Sequence, residues 1–88
     1  MRRVSFVVTG RVQGVGYRRF AQRSAESVGV AGFVRNEVDG SVVGEVEGEE
    51  GAVEAFLTAL RRGPSLSKVR GVETAPLSAT GDAGFAIR

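Results

Sequence analysis

The 88-residue sequence predicts an α+β fold of the split βαβ, ferredoxin-like kind, in which two helices cover one face of an antiparallel sheet. Three observations lead to this prediction. The spacing of apolar residues switches between two and 3.6 along the chain, which gives the order β-α-β-β-α-β with a short strand added at the end. A strong turn dipeptide, Asp39-Gly40, separates the two middle strands. No repeat, linker or low-complexity segment interrupts the pattern, so we expect one domain over residues 1–88.

The first strand and the first helix follow one another through a glycine-rich loop. Val4, Phe6 and Val8 occupy alternate positions, as in a strand with one buried face. Apolar residues then recur at helical spacing and form one stripe: Tyr17, Phe20, Ala21, Ala25 and Val28. Gly29 provides the stop signal of this helix.

The second half of the sequence predicts a hairpin, a helix and two further strands. Phe33–Arg35 and Ser41–Glu47 have strand character and should pair as an antiparallel hairpin through the turn between them. Four apolar residues then mark the second helix, which Gly63-Pro64 ends: Val53, Phe56, Leu57 and Leu60.

The last predicted elements are strands. Val69–Leu77 has strand-like residues, and Pro76 indicates an edge strand or a strand end because proline cannot donate to a sheet. Gly81-Asp82 is expected to form a turn before a short final strand, Phe85–Ile87.

The amino-acid composition excludes several kinds of catalytic and metal site. The chain has no cysteine and no histidine, so thiol nucleophiles, disulfides and the commonest acid–base and metal ligand are missing. A net charge of +2 is thin support for nucleic-acid binding, and Ser41–Glu47 lacks the aromatic residues on which bases stack. No apolar run has the length of a signal segment or a membrane span, so we expect a cytoplasmic protein.

The segment Gly10–Arg18 is the most informative part of the chain. It places Gly10, Gly14 and Gly16 between a strand and a helix, where residues without a Cβ let backbone N–H groups converge on one point. The helix that follows adds its partly positive N-terminus, and Arg18 adds a two-pronged donor. This pattern indicates a site for a small anion, although a generic strand-to-helix connector uses glycines in the same way.

Two nucleotide-binding motifs do not fit this segment. A Walker loop needs a lysine followed by serine or threonine after its last glycine, and neither stands there. A Rossmann fingerprint needs a third glycine where Arg19 lies. The anion is therefore not expected to belong to a nucleotide.

The string from Gly10 to Arg18 resembles the signature of the acylphosphatase family, which hydrolyses the carboxyl-phosphate bond of acyl phosphates. Gly32-Phe33-Val34-Arg35-Asn36 resembles the second signature of that family, and Gly40–Gly48 and Gly63-Pro64 follow at the family's spacing. The resemblance runs from about Val4 to Ile87. It implies an enzyme that needs neither a metal nor another cofactor, acts on a small acyl phosphate as a monomer, and has no nucleic-acid or membrane partner.

The resemblance also implies roles for individual residues. Arg18 would hold the phosphate, together with the loop backbone at Val12, Gln13, Gly14, Val15 and Gly16. An arginine in the first turn of a helix is mildly unfavourable beside the positive end of the dipole, and a bound anion accounts for it. Arg11 and Arg19 are interpreted as solvated charges that could attract anions.

Asn36 would orient the attacking water, since an amide can donate and accept without adding charge. The alternative is an asparagine that only supports the neighbouring turn. Glu37 departs from the family pattern, which commonly has a small hydroxyl residue there, and could place a negative charge near the site. Two other functions remain open for the whole chain: a non-catalytic module that binds phosphate or carbamoyl phosphate, and a nucleic-acid binder.

Overall fold

The structure is a computed structural model that describes residues 1–88. Its elements follow the predicted order, and their bounds are β1 (Arg2–Arg11), α1 (Tyr17–Val28), β2 (Ala31–Asn36), β3 (Val42–Gly48), α2 (Glu50–Arg62), β4 (Lys68–Leu77) and β5 (Phe85–Ile87). The α+β prediction is confirmed. Neither helix is long and apolar enough to cross a membrane.

The five strands form one sheet in the order β4-β1-β3-β2-β5. The strands from β4 to β2 pair antiparallel, as predicted, but β5 lies parallel to β2, so the sheet is mixed. The edge position predicted from Pro76 is confirmed, because β4 is the strand at one edge.

The direction of β5 follows from how the chain reaches it. β4 ends at the edge of the sheet opposite to β5, which is four strand spacings, or about 19 Å, away. Residues 78–84 therefore make a crossover along the sheet end where β2 begins, instead of the tight turn expected at Gly81-Asp82. Since β5 starts at that end, it must run in the same direction as β2.

The core lies between the sheet and the two helices. Phe6 on β1 packs edge-to-face against Phe56 on α2, and Phe56 in turn packs against Phe85 on β5. Sixteen buried residues form this core, and they include the alternate residues Val4, Phe6 and Val8 that the period-two pattern predicts. The opposite face of the sheet carries no helix.

The two ends of the sheet differ in the segments that they carry. The site end holds the last residues of β1, β2 and β5 together with the β1–α1 loop, residues 12–16. The far end holds the first residues of those strands and the crossover 78–84. Gly16 precedes α1 and Gly29 follows it, and both have left-handed backbone conformations, with φ of 77° and 79°.

Candidate active site

A pocket of about 300 Å³ opens at the site end of the sheet. It lies between the β1–α1 loop, the first turn of α1 and the last residues of β2 and β5. Its lining consists of Val12, Gly14, Gly16, Tyr17, Arg18, Arg19, Asn36 and Ile87. Two segments that are far apart in the sequence therefore meet here, and they are the two segments that carry the sequence signatures.

The loop offers the pocket a series of backbone donors. Gly14 and Gly16 have φ of 73° and 77°, a conformation that side-chain-bearing residues rarely adopt. No backbone N–H from Val12 to Arg19 donates to an acceptor in the protein, and Gly16, the N-cap of α1, has no side chain to cap the helix. Unpaired N–H groups at a turn and a helix N-terminus suit an anion with several oxygens.

Arg18 lies where this donor surface meets the helix. Its side chain is half-buried and lines the pocket, and no carboxylate lies within ion-pair distance of it. The first turn of α1 also contains no acidic residue. The guanidinium is thus free of protein partners and adjacent to the unpaired N–H groups.

Asn36 faces the same pocket from the last position of β2. It is half-buried, and its side-chain amide makes no hydrogen bond within the protein. The turn-supporting role belongs to Asp39, whose Oδ1 accepts from the backbone N–H of Ser41 at 2.9 Å and from its hydroxyl at 2.6 Å. These two bonds hold the pKa of Asp39 below its ordinary value. Both oxygen and nitrogen of the Asn36 amide remain available to a molecule in the pocket.

Two members of the predicted loop turn their side chains away from the pocket. Gln13 donates through Nε2 to the backbone carbonyls of Glu37 at 2.7 Å and Ser41 at 2.9 Å, so it fastens the loop to the β2–β3 connection. Val15 packs against the core. Only their backbone N–H groups can serve the pocket. The bracing role of Gln13 has no local sequence signal, because its acceptors lie more than twenty positions away.

Glu37 does not line the pocket. Its carboxylate accepts a hydrogen bond from Nε of Arg35 at 3.0 Å, and this pair is partly exposed. The negative charge expected beside the site is therefore compensated by its neighbour on β2. Arg19, in contrast, lines the pocket and is exposed, which agrees with the prediction of a solvated charge that could attract anions.

Tyr17 forms part of the buried lining of the pocket. Its hydroxyl donates to the carbonyl of Leu60 at 2.7 Å, which ties the first turn of α1 to the last turn of α2. Burial raises the pKa of the Tyr17 phenol above its ordinary value. The phenol therefore stays protonated, and its proton is committed to a structural hydrogen bond.

The chemistry of the lining suits an anion. The pocket has no carboxylate, imidazole or thiol among its side chains, whose polar groups are two guanidinium groups, one amide and the Tyr17 hydroxyl that donates to Leu60. A metal cation would meet positive charge and donors there. No group of three or more histidine, cysteine, aspartate or glutamate side chains in the structure is placed so that it could hold a metal ion.

Fold and pocket together place the chain among ferredoxin-like sandwiches with a donor-lined pocket at one end of the sheet. The family model described as acylphosphatase matches residues 4–87. An acylphosphatase of Nocardioides sp. is 47% identical over 85 residues, which cover 97% of this chain and 86% of that protein. An acylphosphatase of Thermus thermophilus is 44% identical, with 99% of each chain covered. The chain belongs to the acylphosphatase family.

Solved structures agree with this assignment. The crystal structure of an acylphosphatase from Bacillus subtilis superimposes with a TM-score of 0.97 at 38% identity and covers 100% of this chain and 99% of that one. Full-length HypF, in a phosphate- and nucleotide-bound form, superimposes with a TM-score of 0.86 at 30% identity, and the match covers 99% of this chain but 12% of HypF. The same fold thus occurs both alone and as a small part of a larger protein.

Proposed function

We propose that the chain hydrolyses small acyl phosphates at the site-end pocket, releasing a carboxylate and inorganic phosphate. The observation that carries this proposal is that Arg18, Asn36 and the glycines of the β1–α1 loop line one pocket. Neither side chain has a partner inside the protein, and no backbone N–H from Val12 to Arg19 has an acceptor there. Membership of the acylphosphatase family supports it.

The loop and Arg18 bind the phosphoryl group. A loose phosphoryl-transfer transition state carries most of its charge on the three non-bridging oxygens, and preorganised donors aimed at these oxygens lower its energy. The backbone N–H groups supply several such donors, and the guanidinium supplies two charge-assisted ones. This part of the site stabilises charge in the ground state and in the transition state.

Asn36 positions the attacking water. The amide oxygen accepts a hydrogen bond from the water, which leaves a lone pair of the water directed at phosphorus, opposite to the leaving oxygen. The water oxygen forms the new bond to phosphorus while the bond from phosphorus to the acyl oxygen breaks. The electron pair of that bond leaves with the carboxylate, and a phosphate oxygen takes the water proton.

No general acid is required in this reaction. A carboxylate is a good leaving group and departs without a proton, whereas an alkoxide or phenoxide benefits from one. The only phenol in the lining, Tyr17, donates to a backbone carbonyl and is not available as an acid. We propose that the reaction is independent of metals and other cofactors, because guanidinium and N–H groups supply the charge stabilisation that a metal provides in other enzymes.

We also propose that the active unit is a monomer of one domain, residues 1–88, that works in the cytoplasm on small molecules, with no nucleic-acid or membrane partner. Every group assigned to the reaction comes from one copy of the chain, which supports the monomer. Sedimentation of the purified protein at working concentration checks it, and a larger species as the only active form would contradict it.

A non-catalytic module that binds phosphate or carbamoyl phosphate is the second candidate. The similarity to a 12% portion of HypF favours it, because it associates this fold with a larger protein. The two candidates share the phosphate-binding groups and differ in turnover.

Release of phosphate from benzoyl phosphate by the purified protein tests the proposal. We expect multiple turnovers, no loss of rate in excess EDTA, competitive inhibition by inorganic phosphate, and far slower release from p-nitrophenyl phosphate. Loss of rate on chelation would contradict the metal-free mechanism, and equal rates on both substrates would reveal a missed acid or nucleophile. Phosphate binding without turnover would favour the non-catalytic module.

A further inference from the structure

We propose that Arg19 selects acyl phosphates whose acyl part carries a second negative charge. This inference rests on the proposed function and adds the substrate class. Arg18 and Arg19 line the same pocket, but Arg18 is half-buried while Arg19 is exposed. The two guanidinium groups therefore occupy the interior and the rim of the site, and one phosphoryl group accounts for the interior one only.

The charge of Arg19 has no compensation within the protein. No carboxylate lies within ion-pair distance of it, and the first turn of α1 has no acidic residue. α2 shows the ordinary arrangement, with Glu50 in its first turn and Arg61 and Arg62 in its last turn. Two adjacent arginines in the first turn of α1 are opposed by the helix dipole, so a second anion in the pocket would offset the second cation.

The nearby acidic side chains do not oppose such an anion. Glu37 is paired with Arg35, and Asp39 accepts both hydrogen bonds from Ser41. The pocket lining itself contains no carboxylate. Val12, Tyr17 and Ile87 are the apolar residues of the lining; the first two are almost fully buried, so Ile87, which is 39% exposed, supplies the accessible apolar surface. A carbon skeleton can lie on this surface while its two ends meet the loop and the rim.

Pairs of matched substrates test the proposal. The probes are 3- and 4-carboxybenzoyl phosphate, each compared with its neutral carbamoyl analogue, and the quantity is the ratio of kcat/KM for the charged over the neutral member. Comparing this ratio between enzyme variants cancels the intrinsic reactivities of the substrates. The variants are Arg19→Gln and the control Arg23→Gln, an exposed arginine further along α1 that does not line the pocket.

We expect Arg19→Gln to lower the ratio about two- to fivefold at low salt for at least one of the two isomers, the size typical of an exposed ion pair. Arg23→Gln should leave it unchanged, and added salt should bring the wild-type ratio toward that of Arg19→Gln because ions screen a rim charge. The same ratio in wild type and Arg19→Gln for both isomers would overturn the proposal, as would an equal fall in Arg23→Gln. A wild-type protein that hydrolyses none of the probes would overturn the proposed function as well.

Discussion

At each end of the sheet, backbone N–H groups and an arginine surround a position that an oxyanion can occupy. The two ends differ in whether a carboxylate of the protein itself occupies that position. At the far end, Glu47 fills the place. Its carboxylate accepts from the backbone N–H groups of Thr80 and Gly81 at 2.7 and 2.9 Å and from Nη1 of Arg3 at 2.9 Å. At the site end, no carboxylate of the protein reaches Arg18 or the loop N–H groups.

The far-end cluster holds the crossover on the face of the sheet that carries no helix. Arg3 and Glu47 stand opposite each other in the β1–β3 register and are 4% and 2% exposed. Arg3 also pairs with Glu45 and with Asp82 of the crossover. The same kinds of donors hold a carboxylate of the protein at the far end and form the proposed phosphate site at the site end, where the chain supplies no internal anion.

Among the variants that test this difference between the two ends, Arg18→Ala should have the largest effect. The change removes charge-assisted bonds to phosphate in both the ground state and the transition state. Two bonds at about 1.5–3 kcal/mol each imply a loss of roughly 3–6 kcal/mol, or about a hundredfold to ten-thousandfold in kcat/KM. Steady-state kinetics on benzoyl phosphate and the inhibition constant of phosphate measure it.

Arg23→Ala is the matched control for this variant, because Arg23 lies on the same helix, makes no ion pair and does not line the pocket. It should keep normal kinetics, and both variants should melt close to the wild type. Normal phosphate inhibition in a folded Arg18→Ala protein would show that the site end is not an anion site.

Asn36→Ala should separate binding from chemistry at the same pocket. The variant keeps the donors around phosphate but loses the group that positions water. We expect kcat to fall about a hundredfold, the cost of a misplaced reactant, while the inhibition constant of phosphate changes little. The side chain makes no hydrogen bond within the protein, so the melting temperature should also change little. Near-normal turnover in the folded variant would rule out the water-positioning role.

Neutralising Glu47 at the far end should lower the stability of the fold and leave turnover unchanged. The backbone N–H of Thr80, with Arg3 and Gly81 adding to it, lowers the pKa of Glu47 from 4.5 to about 2. A carboxylate whose pKa is lower in the folded state stabilises the fold fully above its unfolded pKa. That stabilisation is lost as the pH falls from about 4.5 toward 2.

Glu47→Gln isolates this contribution. The variant should melt at a lower temperature than the wild type at pH 7, and the difference should shrink as the pH falls through that window, because the wild-type carboxylate becomes neutral too. Melting curves of both proteins from pH 7 to pH 2 measure it, and the comparison removes the contributions of Asp39 and Glu54, whose pKa values are also lowered. Turnover of the folded variant at pH 7 should equal that of the wild type. A reduced kcat there would mean that the two ends are coupled.

The sequence by itself determined the elements and one half of the candidate site. Alternation at Val4, Phe6 and Val8 and the helical stripe from Tyr17 depend on neighbours within a few residues, so periodicity can show them. The same is true of the loop. Gly14 and Gly16 adopt positive φ, and Arg18 follows in the first turn of the next helix. A local chain segment builds that half of the pocket.

Only the tertiary structure decided the rest. Asn36 reaches the pocket because β3 lies between β1 and β2, and the two registers, both through Val42, bring Asn36 level with Val8 in the last part of β1. Gln13 finds its acceptors, and Arg3 finds Glu47, across separations of 24 to 44 positions. The parallel pairing of β5 depends on where a crossover can travel. Such contacts are selected by the packing of the whole sheet, and no short-range pattern in the chain specifies them.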